Sequence, residues 1–187
     1  MEHGKLEDYI YVVKNAIDSQ TCDEILNEFI NSDEWVNTEI ASGINKNVRN
    51  CQTIVMSYPH VLQKNKDIRH KLDMAIFDGA AKCIKEYNIK FSHCNIEEDS
   101  GYELLRYGEG CFYTEHTDSF KARPRAVSCS FMLNDDFEGG EFAFFNKELK
   151  YKLDKGDALL FPSNFMYPHE VLPVTKGTRY SIITWFI

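Results

Sequence analysis

The chain has 187 residues, of which 43% are hydrophobic and 27% charged, enough to bury a core without staples and suited to one domain over residues 1–187. Its formal charge of -8 argues against a general nucleic-acid binder, which needs Lys and Arg to replace counterions along the phosphates. Six cysteines, Cys22, Cys51, Cys83, Cys94, Cys111 and Cys129, form no C-x-x-C pair, which argues against a zinc ribbon or a thioredoxin-like centre and leaves them as free thiols.

Residues 1–8 show no apolar run after a basic start, so no secretory signal is expected, and no stretch reaches bilayer length. The expectation is a soluble, intracellular protein without a membrane partner. Residues 9–13 read as a short strand. Asp18 or Ser19 then caps a helix whose apolar positions Cys22, Ile25, Leu26, Phe29 and Ile30 follow helical spacing. Residues 37–50 are polar and contain glycine, which predicts a mobile loop, and residues 52–56 resume as a strand. The longest helix is predicted over residues 66–87, with Ile68, Leu72, Ala75, Ile76, Ala80, Cys83, Ile84 and Tyr87 on one stripe and Gly79 as a weak point. Residues 1–100 thus form a helical support.

From residue 101 the pattern changes to short strand-prone runs at 102–107, 127–133, 141–145, 151–153, 158–161, 169–174 and 179–186. Turn residues separate them, with Asn134 to Asp136 as one turn and Gly139 and Gly140 closing a hairpin. This rhythm predicts a mainly β protein with flanking helices, an α+β chain. Its catalytic core over residues 101–187 would be a double-stranded β-helix, or jelly roll, with Phe142, Phe144, Phe145 and Phe161 inside and the N-terminal helices packed on the outside.

His116 and Asp118 are two residues apart, so on an extended segment both point to one face. An imidazole and a carboxylate are two of the three ligands of the facial triad that non-haem Fe(II) oxygenases use. Alone the pair is a weak motif. His169 follows a proline-rich turn and can be the third ligand, while Pro168 favours extended geometry beside it. Ten residues on, Arg179, Ser181, Ile183 and Trp185 share one face of the last strand. A guanidinium fork beside a hydroxyl suits the distal carboxylate of 2-oxoglutarate.

These residues carry a family resemblance. Residues 105–118, 137–142, 161–163, 169–173 and 179–185 together resemble the prolyl 4-hydroxylase branch of the Fe(II)/2-oxoglutarate dioxygenases, hypoxia-type enzymes included. The likeness is specific over residues 102–187, loose over residues 10–29, and absent over residues 30–100. It implies that His116, Asp118 and His169 bind Fe(II), that Arg179 binds the 2-oxoglutarate C5 carboxylate, and that Tyr107 donates its hydroxyl to the cosubstrate. Tyr113 and Trp185 would line the site. Met132 stands where hypoxia-type relatives carry a second tyrosine, so the cosubstrate would lean more on Ser181.

The activity so implied couples hydroxylation of proline in a peptide or protein partner to decarboxylation of 2-oxoglutarate to succinate, with O2 as second cosubstrate and ascorbate keeping the iron reduced. The alternatives are hydroxylation of a free amino acid, another small molecule or a nucleobase, and, from a different class, a non-catalytic jelly-roll binding module. Lys121, Arg123 and Arg125 follow the metal pair directly and are expected, with residues 37–50, to form a lid over the substrate. His3, His60, His70 and His93 lack ligand-like partners and read as surface or structural residues.

Overall fold

The computed structural model describes residues 4–40 and 43–187. The expectation for His3, and that part of the predicted loop at residues 41–42, lie outside the described residues. A 3-10 turn at Leu6–Tyr9 leads into β1 (Tyr11–Val13), so the first strand begins two residues later than its β-prone composition suggests. Then comes α1 (Ser19–Phe29), capped by Asp18, whose carboxylate accepts the Thr21 backbone N–H at 2.9 Å.

The segment read as a loop is held at both ends by sheet: β2 (Val36–Asn37), β3 (Arg49–Asn50) and β4 (Gln52–Val55) follow α1. Two-residue strands are too short to show alternation, and their partners are not sequence neighbours: β2 pairs with β4 across the polar stretch and β3 pairs with residues 112–113 in the C-terminal half, so composition alone reads them as loop. Next come α2 (Pro59–Gln63), also unanticipated, and α3 (Lys66–Lys90).

The C-terminal half contributes β5 (Glu103–Tyr107), β6 (Phe112–His116), β7 (Val127–Met132), β8 (Glu138–Gly139), β9 (Phe142–Phe144) and β10 (Leu149–Tyr151). It continues with β11 (Ala158–Pro162), β12 (His169–Val171), β13 (Val174–Lys176) and β14 (Arg179–Phe186). One sheet has the order β1-β11-β7-β14-β5-β4-β2, a second has β10-β9-β12-β6-β3, and β13 pairs with β8. The two larger sheets face each other as a jelly roll.

Strand alternation divides the interior into two cores. Cys129 and Phe131 of β7 and Ile182 of β14 face outward from the barrel and pack against Cys22, Ile25 and Phe29 of α1 and Leu72, Ile76, Cys83 and Ile84 of α3. Each large apolar side chain so buried is worth about 1.5–3 kcal/mol, so the helices serve as the outer wall of the larger sheet. The opposite faces of the same strands turn inward with Phe142, Phe144, Phe161 and Val171. No helix among the described residues is long and apolar enough to cross a membrane.

Three local expectations need correction. Ile68 is not on the buried stripe of α3 but 53% exposed, while the neighbouring Arg69 is 3% exposed. Arg69 Nε donates to Glu28 at 2.7 Å, its Nη2 lies 2.8 Å from Glu34, and its Nη1 donates to the Val61 carbonyl at 2.7 Å, so a paired cation occupies the site where α2 meets α3. Gly139 and Gly140 do not close a hairpin. Both have positive φ, and Gly139 sits in β8 opposite Val174, where any Cβ would collide with the Pro173 carbonyl. Phe145 is only half-buried, packed against the edge of the inner core in a left-handed turn with φ 53°, and the next strand lies at Leu149–Tyr151 with Leu153 beyond it.

Candidate active site

The site lies between the sheets, at the end of β6. In the β12–β6 pairing His169 stands opposite His116, and the two rings lie 4.3 Å apart between centroids. Asp118 follows the end of β6 and turns back toward both: its Oδ1 is 3.4 Å from His116 Nε2 and its Oδ2 3.6 Å from His169 Nε2. One donor atom from each of the three lies within 4.8 Å of the others.

The tautomers follow from hydrogen bonding. His116 Nδ1 is 2.9 Å from the Thr114 carbonyl and His169 Nδ1 is 3.1 Å from the Tyr167 carbonyl, so each Nδ1–H donates to its own chain and each Nε2 keeps its lone pair for the centre. Burial, aided by the neighbouring His116 and opposed by Asp118, lowers the His169 pKa to about 4, which keeps that imidazole neutral. Burial alone would raise the Asp118 pKa, but His169, His116 and the Ser128 hydroxyl outweigh it and hold the carboxyl well below its ordinary range. Ser128 donates to Asp118 Oδ2 at 2.6 Å, and its own oxygen lies 2.8 Å from the Ser163 hydroxyl. Two imidazoles and one carboxylate, gathered on one side and open to a cavity on the other, fit the three-ligand face of a non-haem Fe(II) site.

A cavity of about 1100 Å³ opens from this centre and reaches Arg179. Arg179 pairs in register with Tyr107 and is fully buried, 5.2 Å from the Tyr107 ring centre and 5.1 Å from that of Phe142. Its Nη1 donates to Ser181 Oγ at 2.8 Å, whereas Nε and Nη2 have no partner. Desolvation lowers the Arg179 pKa, and it raises that of the Tyr107 hydroxyl, which therefore stays protonated as a donor. An unpaired buried cation is costly, so two unpartnered guanidinium nitrogens and a serine at a cavity wall fit the carboxylate of a dicarboxylic cosubstrate. Further orphaned buried atoms, Arg49 Nε, Thr53 Oγ1, Ser130 Oγ and Trp185 Nε1, belong to residues that line the same cavity.

The expected residues part company here. Tyr107, Tyr113, Arg123, Arg125, Ser181 and Trp185 line the cavity with the metal donors and Arg179. Met132 does not: opposite Ser181 in register, it is buried among core side chains, and Ser130 is the β7 residue that reaches the cavity. Lys121 is exposed and stands off the wall, because the chain turns back between Phe120 and Arg123. Arg125 is no free lid residue; its guanidinium lies 3.4 Å over the Trp185 ring and donates to the Asp118 carbonyl at 3.1 Å.

Sequence reading missed Arg49 and Glu103, which line the same space. Arg49 lies 4.7 Å over the Tyr113 ring, and that ring stacks 3.5 Å from His116 at 17°. Its signal was hidden in the polar stretch read as loop. Glu103 was legible in principle, since it shares the inward face of β5 with Leu105 and Tyr107.

The sequence model of the 2OG-Fe(II) oxygenase superfamily matches residues 102–187. A protein of Acanthamoeba polyphaga mimivirus, provisionally named a prolyl 4-hydroxylase, is 28% identical over 196 aligned positions, covering 94% of this chain and 73% of that protein. Among solved structures, a prolyl hydroxylase from Trichoplax adhaerens in complex with a hypoxia-inducible-factor peptide fragment superposes with a TM-score of 0.71 at 21% identity, over 96% of this chain and 83% of that one. The collagen prolyl hydroxylase of Paramecium bursaria Chlorella virus-1, in its 2-oxoglutarate complex, gives 0.70 at 21% identity over 98% of both chains.

Proposed function

We propose that the chain, whose residues 102–187 match the 2OG-Fe(II) oxygenase superfamily model, works as a member of that superfamily and hydroxylates proline, at the 4-position, within a peptide or protein. Its cofactors are those of the superfamily, Fe(II) with 2-oxoglutarate and O2. Our assignment gives the iron to His116, Asp118 and His169 and the C5 carboxylate of 2-oxoglutarate to Arg179 and Ser181. When bound, iron and cosubstrate supply the oxidising power for C–H hydroxylation, with 2-oxoglutarate decarboxylated to succinate. Ascorbate is assigned the role of keeping the iron reduced.

The protein's own part is to position groups and exclude water. Ser128 and Ser163 hold the Asp118 carboxylate in place, and the backbone carbonyls of Thr114 and Tyr167 fix the two imidazoles. Arg179 orients the cosubstrate from one end, with the Tyr107 hydroxyl as an added donor. Tyr113 and the Arg125-backed Trp185 form two aromatic walls, which suit the flat, apolar face of a pyrrolidine ring. The observation that carries the dioxygenase chemistry is the fully buried, half-unpaired Arg179 in the same cavity as the three donors. For proline, the support is the name of the mimivirus relative and the substrates named for the structural neighbours.

The test is a panel of proline-containing peptides, free amino acids and nucleic acids, each supplied with Fe(II), 2-oxoglutarate and ascorbate. Succinate formation and a mass gain of about 16 Da on a proline peptide, both lost in Asp118→Ala, are expected. Stimulation by a free amino acid or a nucleobase alone would reject the proline reading, and full coupled activity in Asp118→Ala would reject the iron assignment.

A further inference from the structure

The loaded centre balances its own charge: one carboxylate of Asp118 and two of the cosubstrate meet a divalent iron and Arg179. The remaining charged side chains on the cavity wall are the guanidiniums of Arg49, Arg123 and Arg125 and the carboxylates of Glu39 and Glu103. In a chain of net charge -8, this places a cationic excess where substrate must enter. Among the described residues none of Arg49, Lys121, Arg123 and Arg125 has a carboxylate within 4.0 Å, unlike Arg69, Lys14 and Lys155 elsewhere.

Arg49 is the sharpest of these. Its Nε is buried without a partner, and it sits 4.7 Å from Tyr113, itself 3.5 Å from His116. The guanidinium therefore lies at most about 8 Å from a metal-donor ring, the reach of two to three residues of extended chain at ~3.3 Å each. Val36, Ile44, Tyr58 and Phe120 line the cavity and are exposed, so its mouth offers apolar contact to a chain lying across it rather than closure around a small molecule.

We propose that the substrate segment carries an acidic side chain within about three residues of the hydroxylated position, read by Arg49 in the cavity and by Arg123 at its rim. This rests on the peptide reading above and adds a sequence preference to it. Asp or Glu next to the target would replace the missing partner of Arg49 through charge-assisted hydrogen bonds.

The test uses one short peptide, acetylated and amidated so that no terminal charge contributes, in four forms: Pro or Ala at the centre, with Asp or Asn beside it. Binding to protein loaded with Mn(II) and 2-oxoglutarate is followed by tryptophan fluorescence, since both tryptophans, Trp35 and Trp185, line the cavity. At low salt the Asp forms should bind about tenfold tighter than the Asn forms in both pairs, a ratio that falls to about threefold or less in Arg123→Gln and near unity in Arg49→Gln. The exposed Arg123 keeps the test open should Arg49→Gln fold poorly. Asp and Asn forms within about twofold of each other, no binding of either Asp form at about 1 mM, or a ratio unchanged in both variants overturns the proposal. The Ala forms carry this arm whatever the target residue, while failure of both Pro forms to be oxidised in a parallel assay with Fe(II) in place of Mn(II) counts against the proline reading alone.

Discussion

At the scale of single residues, the site is built from side chains whose chemistry forbids a bland role once they are buried together. The candidate set His116, Asp118, His169 and Arg179 was legible because its order and spacing form a pattern. Arg49 was not, because its strand is two residues long. Two predictions follow from burial. Replacing Arg179 with Met should abolish cosubstrate binding by calorimetry while stabilising the metal-free protein by about 1–4 kcal/mol, since an unpaired interior cation is exchanged for an apolar side chain; an unchanged affinity for 2-oxoglutarate would remove Arg179 from the cosubstrate site. His169 has its pKa lowered from 6.5 to about 4. Between those values the unfolded chain binds a proton at this position that the folded chain refuses, so in metal-free protein this contribution is complete above pH 6.5 and is lost as pH falls toward 4. Urea unfolding of the native chain and of His169→Gln should show the variant with the flatter pH profile over that window; equal slopes would contradict it.

At the scale of elements, periodicity served long segments well and short ones badly. The stripe of α3 and all eight residues of β14 were readable because each repeats its pattern several times. β2, β3 and β8 are two residues each and are specified by distant partners, which local sequence does not display. Gly79 was read as a weak point of α3, on propensity, yet the helix packs there so closely that an added Cβ would lie 2.9 Å from Ile17 Cγ1 and 3.0 Å from the Ala16 carbonyl. Gly79→Ala should therefore destabilise the protein, by up to about 2 kcal/mol, because the overpacking penalty of ~1–3 kcal/mol offsets and exceeds the gain in helix propensity of about 1 kcal/mol. A midpoint in urea equal to or above that of the native chain would show that the contact between α3 and the segment before α1 yields easily.

At the scale of the whole molecule, the layered plan explains why the chemistry sits where it does. The strands that face α1 and α3 on one side turn Ser128, Ser130, Arg179, Ser181 and Trp185 inward on the other, so the outer core backs the residues that border the candidate site. This division was visible in β14 from alternation alone, whereas the contribution of residues 36–55 to both sheets required the tertiary pairing. In the proposed reaction this cavity divides O2 between a cosubstrate and a substrate carbon. The most direct measurement is mass spectrometry of the products formed under isotopically heavy O2 in ordinary water, with an oxidisable proline peptide. One heavy oxygen in succinate and one in the hydroxylated peptide, in equal amounts, is the predicted result; a hydroxylated peptide whose new oxygen comes from water, or succinate formed without label, would contradict it.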